Sequence, residues 1–348
     1  MYSFDVDAGW CGASNASLGG QESSLWSALS GDSLSNYQAL SDALFLDTET
    51  TGLGYGAGTF AFLVGIAYRT EAGWVGEQLF VSKPSEERAM LHYLKHRIET
   101  ASALVSYNGK SFDLPLLRCR YLLHGLQINE PRVHVDLYQM SRSVLKDRLD
   151  RKRLVDLEWA LFEQQRENDI EGAAIPDAYF SFLHRRSAAE LSRVLTHNEL
   201  DVVTMPRILQ WLVDGVSTTF IEVQDELCFL ERCAVKGISV ELLPRIGRLQ
   251  SRAQGEVAHR LAFLQYSLVR REDIGHAIGV LQHFYGKTRG ALRGKMARRL
   301  AIHFEHDVKD FEQALDYAQE TEAEEGFDAH RRRIQRLRRK LSRLADVQ

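Results

Sequence analysis

The chain has 348 residues, of which 45% are hydrophobic and 26% are charged, and its formal net charge is −4. This composition is typical of a globular protein long enough for two domains, and it excludes a globally basic, nucleic-acid-binding field. Four scattered cysteines without a CxxC pair exclude a zinc motif and a disulfide framework. No apolar run approaches the roughly 20 residues of a membrane span, and no secretory signal is evident. We therefore expect a cytoplasmic protein without a membrane partner.

Residues 1–40 are predicted to form a poorly structured N-terminal segment, because Ser, Gly and Asn are frequent and no periodicity is sustained. Strand signals follow at 43–46, 59–68, 74–81, 103–107 and 133–137. Helix signals lie at 84–99, between the turn at 108–111 and residue 123, and from about 188 onwards. This order predicts an α/β fold over residues 41–215, with a mixed sheet flanked by helices.

Residues 216–348 lack strand signals and are predicted to form an all-helical domain. Two helical hairpins, 261–279 and 300–318, resemble each other weakly. Small alanines at packing positions make the second hairpin tetratricopeptide-like. An ordinary helical bundle is the alternative.

Two carboxylates, Asp47 and Glu49, end the apolar run that begins at Ala43. Alternate residues of a strand share a face, so these side chains are expected to project together. Their repulsion favours a hard divalent cation between them, such as Mg²⁺ or Mn²⁺. Taken alone, the pair fits a solvated acidic strand end better.

Four later residues bear on this pair. Asp113 falls in the first turn of a helix, where an acid also serves as a plain cap. His197 and Asp201 are four residues apart and share one helix face, where they either join the site or form a surface pair. Asp136 ends the last predicted strand, and a structural role is favoured for it.

Together these stretches resemble the three motifs of the DEDD 3′–5′ exonucleases, which have an RNase H-like fold. The motifs are Asp-x-Glu-Thr-Thr-Gly-Leu from Asp47, Asn-x-x-x-Phe-Asp from Asn108, and His-x-x-x-Asp from His197. Within these exonucleases, the chain resembles the YprB-like, RNase H-like family of bacterial proteins from about residue 44 to 212. Residues 300–315 also resemble the helical repeat appended to members of that family.

The resemblance implies a metal-dependent 3′–5′ exonuclease that hydrolyses phosphodiester bonds of DNA or RNA by a two-metal-ion mechanism. It implies that Asp47, Glu49, Asp113 and Asp201 bind two divalent ions, Mg²⁺ or Mn²⁺, and that His197 assists catalysis. His197 departs from the pattern, because it lies four positions before the last Asp, the spacing of the branch that uses Tyr. A histidine there can orient or deprotonate the attacking water.

Five polar residues in the turns beside the acids are predicted to bind the substrate: Thr50, Thr51, Asn108, Lys110 and Ser111. For Lys110 and Ser111 a plain turn with a solvated lysine is the alternative. A lysine that contacts the substrate backbone would make binding salt-dependent.

The expected partner is nucleic acid with a single-stranded 3′ end, and the helical domain is expected to contact substrate or a protein partner. Two basic stretches, 142–153 and 330–343, bear on this expectation. The first would flank the substrate channel, and the second is either a solvated face or a nucleic-acid contact. The alternative function is a non-catalytic nucleic-acid-binding or protein-interaction module, against which the retention of all four acids argues.

Overall fold

The structure is a computed structural model that describes residues 1–5, 20–32, 40, 42–52, 58–185 and 188–345. It divides the chain into two compact units, Met1–Arg232 and Cys233–Gln348. In the described residues, no helix combines the length and the apolar character needed to cross a bilayer. The functional boundaries predicted after residues 40 and 215 stay predictions.

The first unit is built on a mixed sheet of six strands in the order β1-β4-β3-β2-β5-β6. Neighbours from β1 to β2 are antiparallel, whereas β2 pairs β5 and β5 pairs β6 in parallel. The predicted α/β fold with a mixed sheet and flanking helices is confirmed. The strands are β1 Tyr2–Asp5, β2 Ala43–Thr50, β3 Ala61–Thr70, β4 Gly73–Phe80, β5 Ala103–Ser106 and β6 Val133–Asp136.

Eight α-helices of the described chain begin in this unit. Short 3₁₀ turns lie at Pro84–Glu86 and Gly172–Ala174. The helices are α1 Gly20–Ser30, α2 Glu87–Thr100, α3 Asp113–Leu123, α4 Leu137–Val144, α5 Leu154–Phe162, α6 Ile175–Arg185, α7 Ala189–Ser217 and α8 Val223–Val235.

Apolar side chains on the two faces of the sheet pack against different helices. Helices α2 and α3 share one buried cluster with Leu44, Leu46, Val64 and Ile66, which alternate along β2 and β3 and therefore lie on one face. Helices α6 and α7 share another cluster with β3. The 29-residue helix α7 runs through Pro206 and contacts β2, β3 and β4.

The close approach of α7 to the sheet depends on Gly65. This glycine pairs with Asp47 across β2 and β3 and lies on the face opposite Val64 and Ile66. A Cβ atom at this position would lie 2.3 Å from Asn198 Oδ1 of α7. Any larger side chain would therefore push the helix away from the strand that carries the acids.

The sequence predicts a poorly structured segment over residues 1–40, but two stretches of it, β1 and α1, are structured. Strand β1 pairs with the edge strand β4, and such backbone pairing needs no long apolar run. Helix α1 buries Leu25, Trp26 and Leu29, which supply enough apolar area to order the chain. The remainder, residues 6–19, 33–39 and 41, lies outside the described residues.

The second unit is helical in all its described parts, as predicted. A π-helical turn, Phe304–Val308, follows α12, and a 3₁₀ turn lies at Val240–Leu242. One core cluster of this unit includes Leu281, Met296, Leu300 and Leu337. The tetratricopeptide-like character of its hairpins stays a prediction. Its helices are α9 Leu243–Gln250, α10 Gly255–Val269, α11 Ile274–Tyr285, α12 Gly290–His303, α13 Phe311–Ala318, α14 Glu322–Glu325 and α15 Phe327–Ala345.

Replacing Gly65 by alanine is expected to lower the free energy of unfolding by about 1–3 kcal/mol, because the new methyl group would overlap Asn198. Urea titration of the wild type and the variant measures this loss. The matched control is Gly58→Ala, where a Cβ meets no atom of the described residues within 4 Å and φ lies outside the left-handed region. Equal stability of both variants would contradict the close approach described above.

Candidate active site

The acidic pair lies within the central strand β2, beyond the end of its parallel neighbour. Pairing between β2 and β5 covers only Ala43–Leu46, so the stretch from Asp47 to Glu49 extends past the C-terminal end of β5. Glu49 is 9% exposed and Asp47 is half-buried. The two side chains share the sheet face on which α7 packs.

Asp113, the first residue of α3, is held close to this pair by two contacts. Thr48 donates its hydroxyl hydrogen to Asp113 Oδ1 at 2.5 Å. The turn from β5 to α3 passes very close to the carboxylate, since a Cβ at Gly109 would lie 3.0 Å from Asp113 Oδ2 and 2.4 Å from Ser106 Oγ. The turn thus needs a glycine at 109.

Asp136, at the end of β6, supports the same turn. Its carboxylate accepts hydrogen bonds from the backbone N–H groups of Asn108 at 2.9 Å and Lys110 at 3.2 Å. It also caps α4 by accepting from the Tyr138 N–H at 3.1 Å. These bonds give Asp136 a structural role: its carboxylate holds the turn and the start of α4 and is not one of the four predicted metal-binding acids.

His197 and Asp201 face the acidic pair from α7, one helical turn apart. His197 Nε2 lies 3.6 Å from Asp201 Oδ2 and 3.9 Å from Glu49 Oε1. On the other side of the ring, Nδ1 lies 2.7 Å from Asp169 Oδ1. A carboxylate partner favours the tautomer with hydrogen on Nδ1, which leaves Nε2 directed at the acids.

Arg166 lies beside Asp201 and partly balances its charge. Its guanidinium donates to Asp201 Oδ1 at 2.6 Å and to both oxygens of Glu158 at 2.6 and 2.7 Å. The Arg166 side chain is 2% exposed, so these contacts are made away from water. Because Oδ1 of Asp201 is engaged, Oδ2 is the atom that faces His197.

Asn198 joins the helix to the acids and to the sheet. Its side-chain amide donates to Asp47 Oδ2 at 2.8 Å, and its Oδ1 accepts from Gln78 of β4 at 3.1 Å. Gln78 also donates to the Leu195 carbonyl at 2.7 Å. Asn198 therefore orients the Asp47 carboxylate through hydrogen bonds inside the protein.

Burial raises the pKa of each of the four carboxylates, and repulsion within the set adds to this shift for Asp47 and Glu49. For Asp47, burial and the charges of Asp201 and Asp113 raise the pKa well above its usual range, and for Glu49 burial and Asp47 do the same. Burial raises the pKa of Asp113 to about 6. Burial also raises the pKa of Asp201, although Arg166 opposes that shift. The cluster therefore concentrates negative charge that its surroundings leave poorly compensated.

This donor set fits a hard divalent cation. Glu49, His197 and Asp201 each offer a ligand atom, and these atoms lie within 4.8 Å of one another. Carboxylate oxygen is the donor that Mg²⁺ and Mn²⁺ prefer, and a bound cation would relieve the repulsion that raises the acids' pKa values.

The predicted substrate-binding residues flank the acids, but several of their polar atoms already make hydrogen bonds or ion pairs within the protein. Thr50 Oγ1 donates to the Gly52 carbonyl at 2.7 Å, and Thr51 Oγ1 accepts from the Phe60 N–H at 3.2 Å. Lys110 Nζ pairs with Asp32 Oδ2 at 2.7 Å. Asn108 has a φ of +66°, and Ser111 is exposed. Their roles as substrate ligands stay predictions.

A cavity of about 250 Å³ opens beside Glu49 and Asp113. One part of its wall is acidic and another is apolar, formed by Leu116 and Ile175. Phe112, immediately before Asp113, is 50% exposed at this wall. The other lining residues are Thr48, Thr50, Gly52, Gly172 and Pro176.

Four residues that support the site were missed by sequence reasoning: Thr48, Arg166, Asp169 and Asn198. Asn198 carried a usable signal, because it occupies a buried position in the stripe formed by Leu191, Val194 and Val202 on α7. A polar residue at such a position must find a partner inside the protein. Arg166 and Asp169 lie in a polar loop between α5 and α6, where no sequence pattern distinguishes them from solvated residues.

Comparison with known proteins agrees with this fold. Residues 44–213 match the RNase_H_2 model of the RNase_H superfamily. The chain is 27% identical over 311 residues to the uncharacterized protein YprB of Bacillus subtilis (strain 168), a match that covers 86% of this chain and 75% of YprB.

Among solved structures, the chain is similar in part to the family B DNA polymerase from the hyperthermophilic archaeon Pyrobaculum calidifontis. The TM-score is 0.38 and the identity 16%, and the match covers 56% of this chain and 29% of the polymerase. The assignment to the predicted family rests on the match to the family model and on the match to YprB. Through residues 44–213, the chain belongs to the RNase H superfamily as a YprB-like, RNase H-like protein.

Proposed function

We propose that the protein is a metal-dependent 3′–5′ exonuclease of the DEDD type that hydrolyses DNA or RNA. RNase H superfamily membership suggests a nuclease. One observation carries the finer proposal: Asp47, Glu49, Asp113 and Asp201 come from three distant segments, and the charges of Asp113 and Asp201 raise the pKa of both Asp47 and Glu49. The 3′–5′ direction and the single-stranded substrate follow from the resemblance of the three motifs.

The four carboxylates would hold two divalent ions, Mg²⁺ or Mn²⁺. When bound, such ions activate water at neutral pH and balance charge on the attacking and leaving oxygens of an in-line displacement. The chain's own contribution is orientation. Asn198 holds Asp47, Thr48 holds Asp113, and Arg166 holds Asp201, so three of the four acids have a hydrogen-bonded support.

His197 is proposed to accept the proton of the attacking water at Nε2. That atom faces Glu49 and Asp201, whereas Nδ1 is engaged by Asp169. Asp169 would keep the ring in the tautomer with a free lone pair on Nε2 and would stabilise the imidazolium formed on proton transfer. Asp169 is therefore a positioning residue for His197.

The cavity beside Glu49 and Asp113 is proposed to receive the terminal nucleotide. The exposed ring of Phe112 offers a surface on which a base can stack without sequence preference. Thr50, Thr51, Asn108 and Ser111 would line the path of the backbone. Lys110 would contact a phosphate after leaving Asp32, an exchange of one anionic partner for another. The tetratricopeptide-like second unit is proposed to contact substrate or a protein partner.

The first test is digestion of single- and double-stranded DNA and RNA in Mg²⁺ or Mn²⁺. Wild type is expected to shorten strands labelled at the 5′ end progressively and to release the label of 3′-labelled strands as a mononucleotide. Asp47→Asn and Asp201→Asn are each expected to lower the rate at least about 100-fold, because each removes charge stabilisation worth several kcal/mol.

Glu190→Gln is the matched control, since it neutralises an exposed acid on the same helix as Asp201. It should retain wild-type rates. Absence of metal-dependent shortening on every substrate, or equal rates in the Asp47 and control variants, would refute the proposal. Binding without hydrolysis would favour the non-catalytic module.

A second test uses metal-dependent stability. Mg²⁺ or Mn²⁺ is expected to raise the Tm at pH 8, and the rise should shrink as pH falls through about 6, because burial raises the pKa of Asp113 to about 6 and protons then compete with the metal. Without metal, the raised pKa of Asp113 in the folded state makes the protein less stable as pH rises. There, stability is present below the ordinary value of 3.8 and is lost as pH rises through about 6.

Asp113→Asn supplies the comparison for these melting curves. Without metal at pH 8 it should melt above the wild type, because a buried, repelled charge has been removed. With metal it should gain little. An unchanged response to metal in this variant would show that Asp113 is not a ligand.

A third test concerns Asp169. We expect Asp169→Asn to lower kcat about 10–100-fold with little change in KM, because the His197 ring loses its charged partner. In a His197→Gln background the same change should have no further effect, since the two residues act as a unit. The control is Glu171→Gln, a nearby exposed acid. Additive losses in the double variant would contradict the positioning role.

A further inference from the structure

Helix α15 carries an exposed row of arginines on the side that faces away from the core of its unit. We propose that this row binds the sugar–phosphate backbone of single-stranded nucleic acid. The row, called the arginine face below, consists of Arg331, Arg332, Arg338, Arg339 and Arg343. The inference deepens the proposed function, because it takes the polyanion to be the substrate of the proposed nuclease.

The inner side of α15 is used by the fold. Leu337 is fully buried in the core cluster that also holds Met296 and Leu300, and Ile334 packs against that cluster. This apolar stripe accounts for the docking of the helix. The helix therefore has no need of the arginine face for its own placement.

A second set of basic residues on α15 forms ion pairs with a buried acid of the same unit. Arg336 and Lys340 donate to Glu305 Oε1 at 2.6 and 2.9 Å, and Arg333 donates to Glu305 Oε2 at 3.2 Å. Glu305 is 1% exposed. Burial alone would raise its pKa, but the bonds from Arg336 and Lys340 outweigh burial and lower the pKa to about 2. These three cations thus neutralise a buried acid.

The arginine face has no such partner. Its five side chains are exposed, and within the described part of the chain none of them makes an ion pair or a side-chain hydrogen bond. Residues 330–345 contain no acid. At 100° and 1.5 Å per residue, the five positions share one side of the helix over about 18 Å.

A row of like charges is unfavourable by itself, since cations one turn apart repel each other. The chain carries a net charge of −4, so this local excess of positive charge is not part of a generally basic surface. A polyanion would relieve the repulsion along the whole row. Arginine rather than lysine suits phosphate in particular, because the planar guanidinium can donate two parallel hydrogen bonds to its oxygens.

The exposed positions favour nucleic acid over an anionic membrane. Between Arg331 and Arg343 the other exposed residues are Gln335, Arg336 and Ser342. The exposed apolar side chains of α15, Phe327 and Leu344, lie near its two ends and form no continuous apolar face. A helix that lies in a membrane interface needs an exposed apolar face, and here that face is already in the core.

The test measures binding separately from hydrolysis. Full-length Asp47→Asn protein in EDTA is titrated onto a fluorescent 20-nucleotide single strand of DNA or RNA, with anisotropy recorded between 50 and 200 mM KCl. Changing Arg331, Arg338 and Arg339 together to Gln should weaken binding on the order of tenfold or more at 50 mM. The slope of log K against log[salt] should become less steep by about 2.

The matched control changes Arg270, Arg271 and Arg289 to Gln, which removes the same charge from exposed arginines in the turns between α10, α11 and α12. We expect its affinity to stay within about twofold of the parent, because a change in net charge alone is screened at this ionic strength. Circular dichroism and the Tm check that both triple variants are folded.

Equal losses in the two triple variants, or none in either, would overturn the inference. So would tight binding to phosphatidylglycerol vesicles that the first triple variant abolishes while nucleic-acid binding persists. The nuclease proposal is judged by a different readout. The first triple variant, in a wild-type background, should still cleave a dinucleotide if the active site is as proposed. Loss of long-strand binding in a protein that cleaves nothing would leave the arginine face supported and the nuclease proposal refuted.

Discussion

The close contact between helix α7 and strands β2 and β3 is the constraint on which the candidate site depends. Gly65 leaves just enough room for Asn198, whose amide then reaches both Asp47 and Gln78. The same contact brings His197 and Asp201, which flank Asn198 on the helix, over Glu49. Because interiors are close-packed, a displacement of less than an ångström at Gly65 would move the acids on α7 relative to those on β2.

Most of the neighbouring carboxylates in the site have a hydrogen-bond partner of their own, which holds them close together despite their like charge. Thr48, Asn198 and Arg166 each bind one carboxylate, and Asp169 binds the far side of the His197 ring. These supports orient the oxygens but do not neutralise them, so burial and repulsion still raise the carboxyl pKa values. A site arranged in this way is preorganised for a cation, because binding relieves strain that the fold already holds.

Sequence patterns were most informative where the spacing of apolar residues and the turn-forming residues beside them indicated the same element. The strands around Asp47 and the helix that carries His197 and Asp201 were predicted from their apolar spacing, and the mixed sheet followed from the order of elements. The patterns failed for β1 and α1. Four residues are too few to show a period, and a strand at the edge of a sheet is ordered by hydrogen bonds from its neighbour rather than by its own side chains.

By itself, the sequence determined the α/β class and the helical second unit, because these depend on local periodicity. It also predicted the four acids, because their motifs can be recognised in the linear sequence. Only the tertiary structure decided which neighbours support the acids. Asp169 is 28 residues from His197 and Arg166 is 35 residues from Asp201 along the chain, and Asn198 is 151 residues from Asp47. Contacts at such separations arise from how helices pack on a sheet, and no local pattern of residues encodes them.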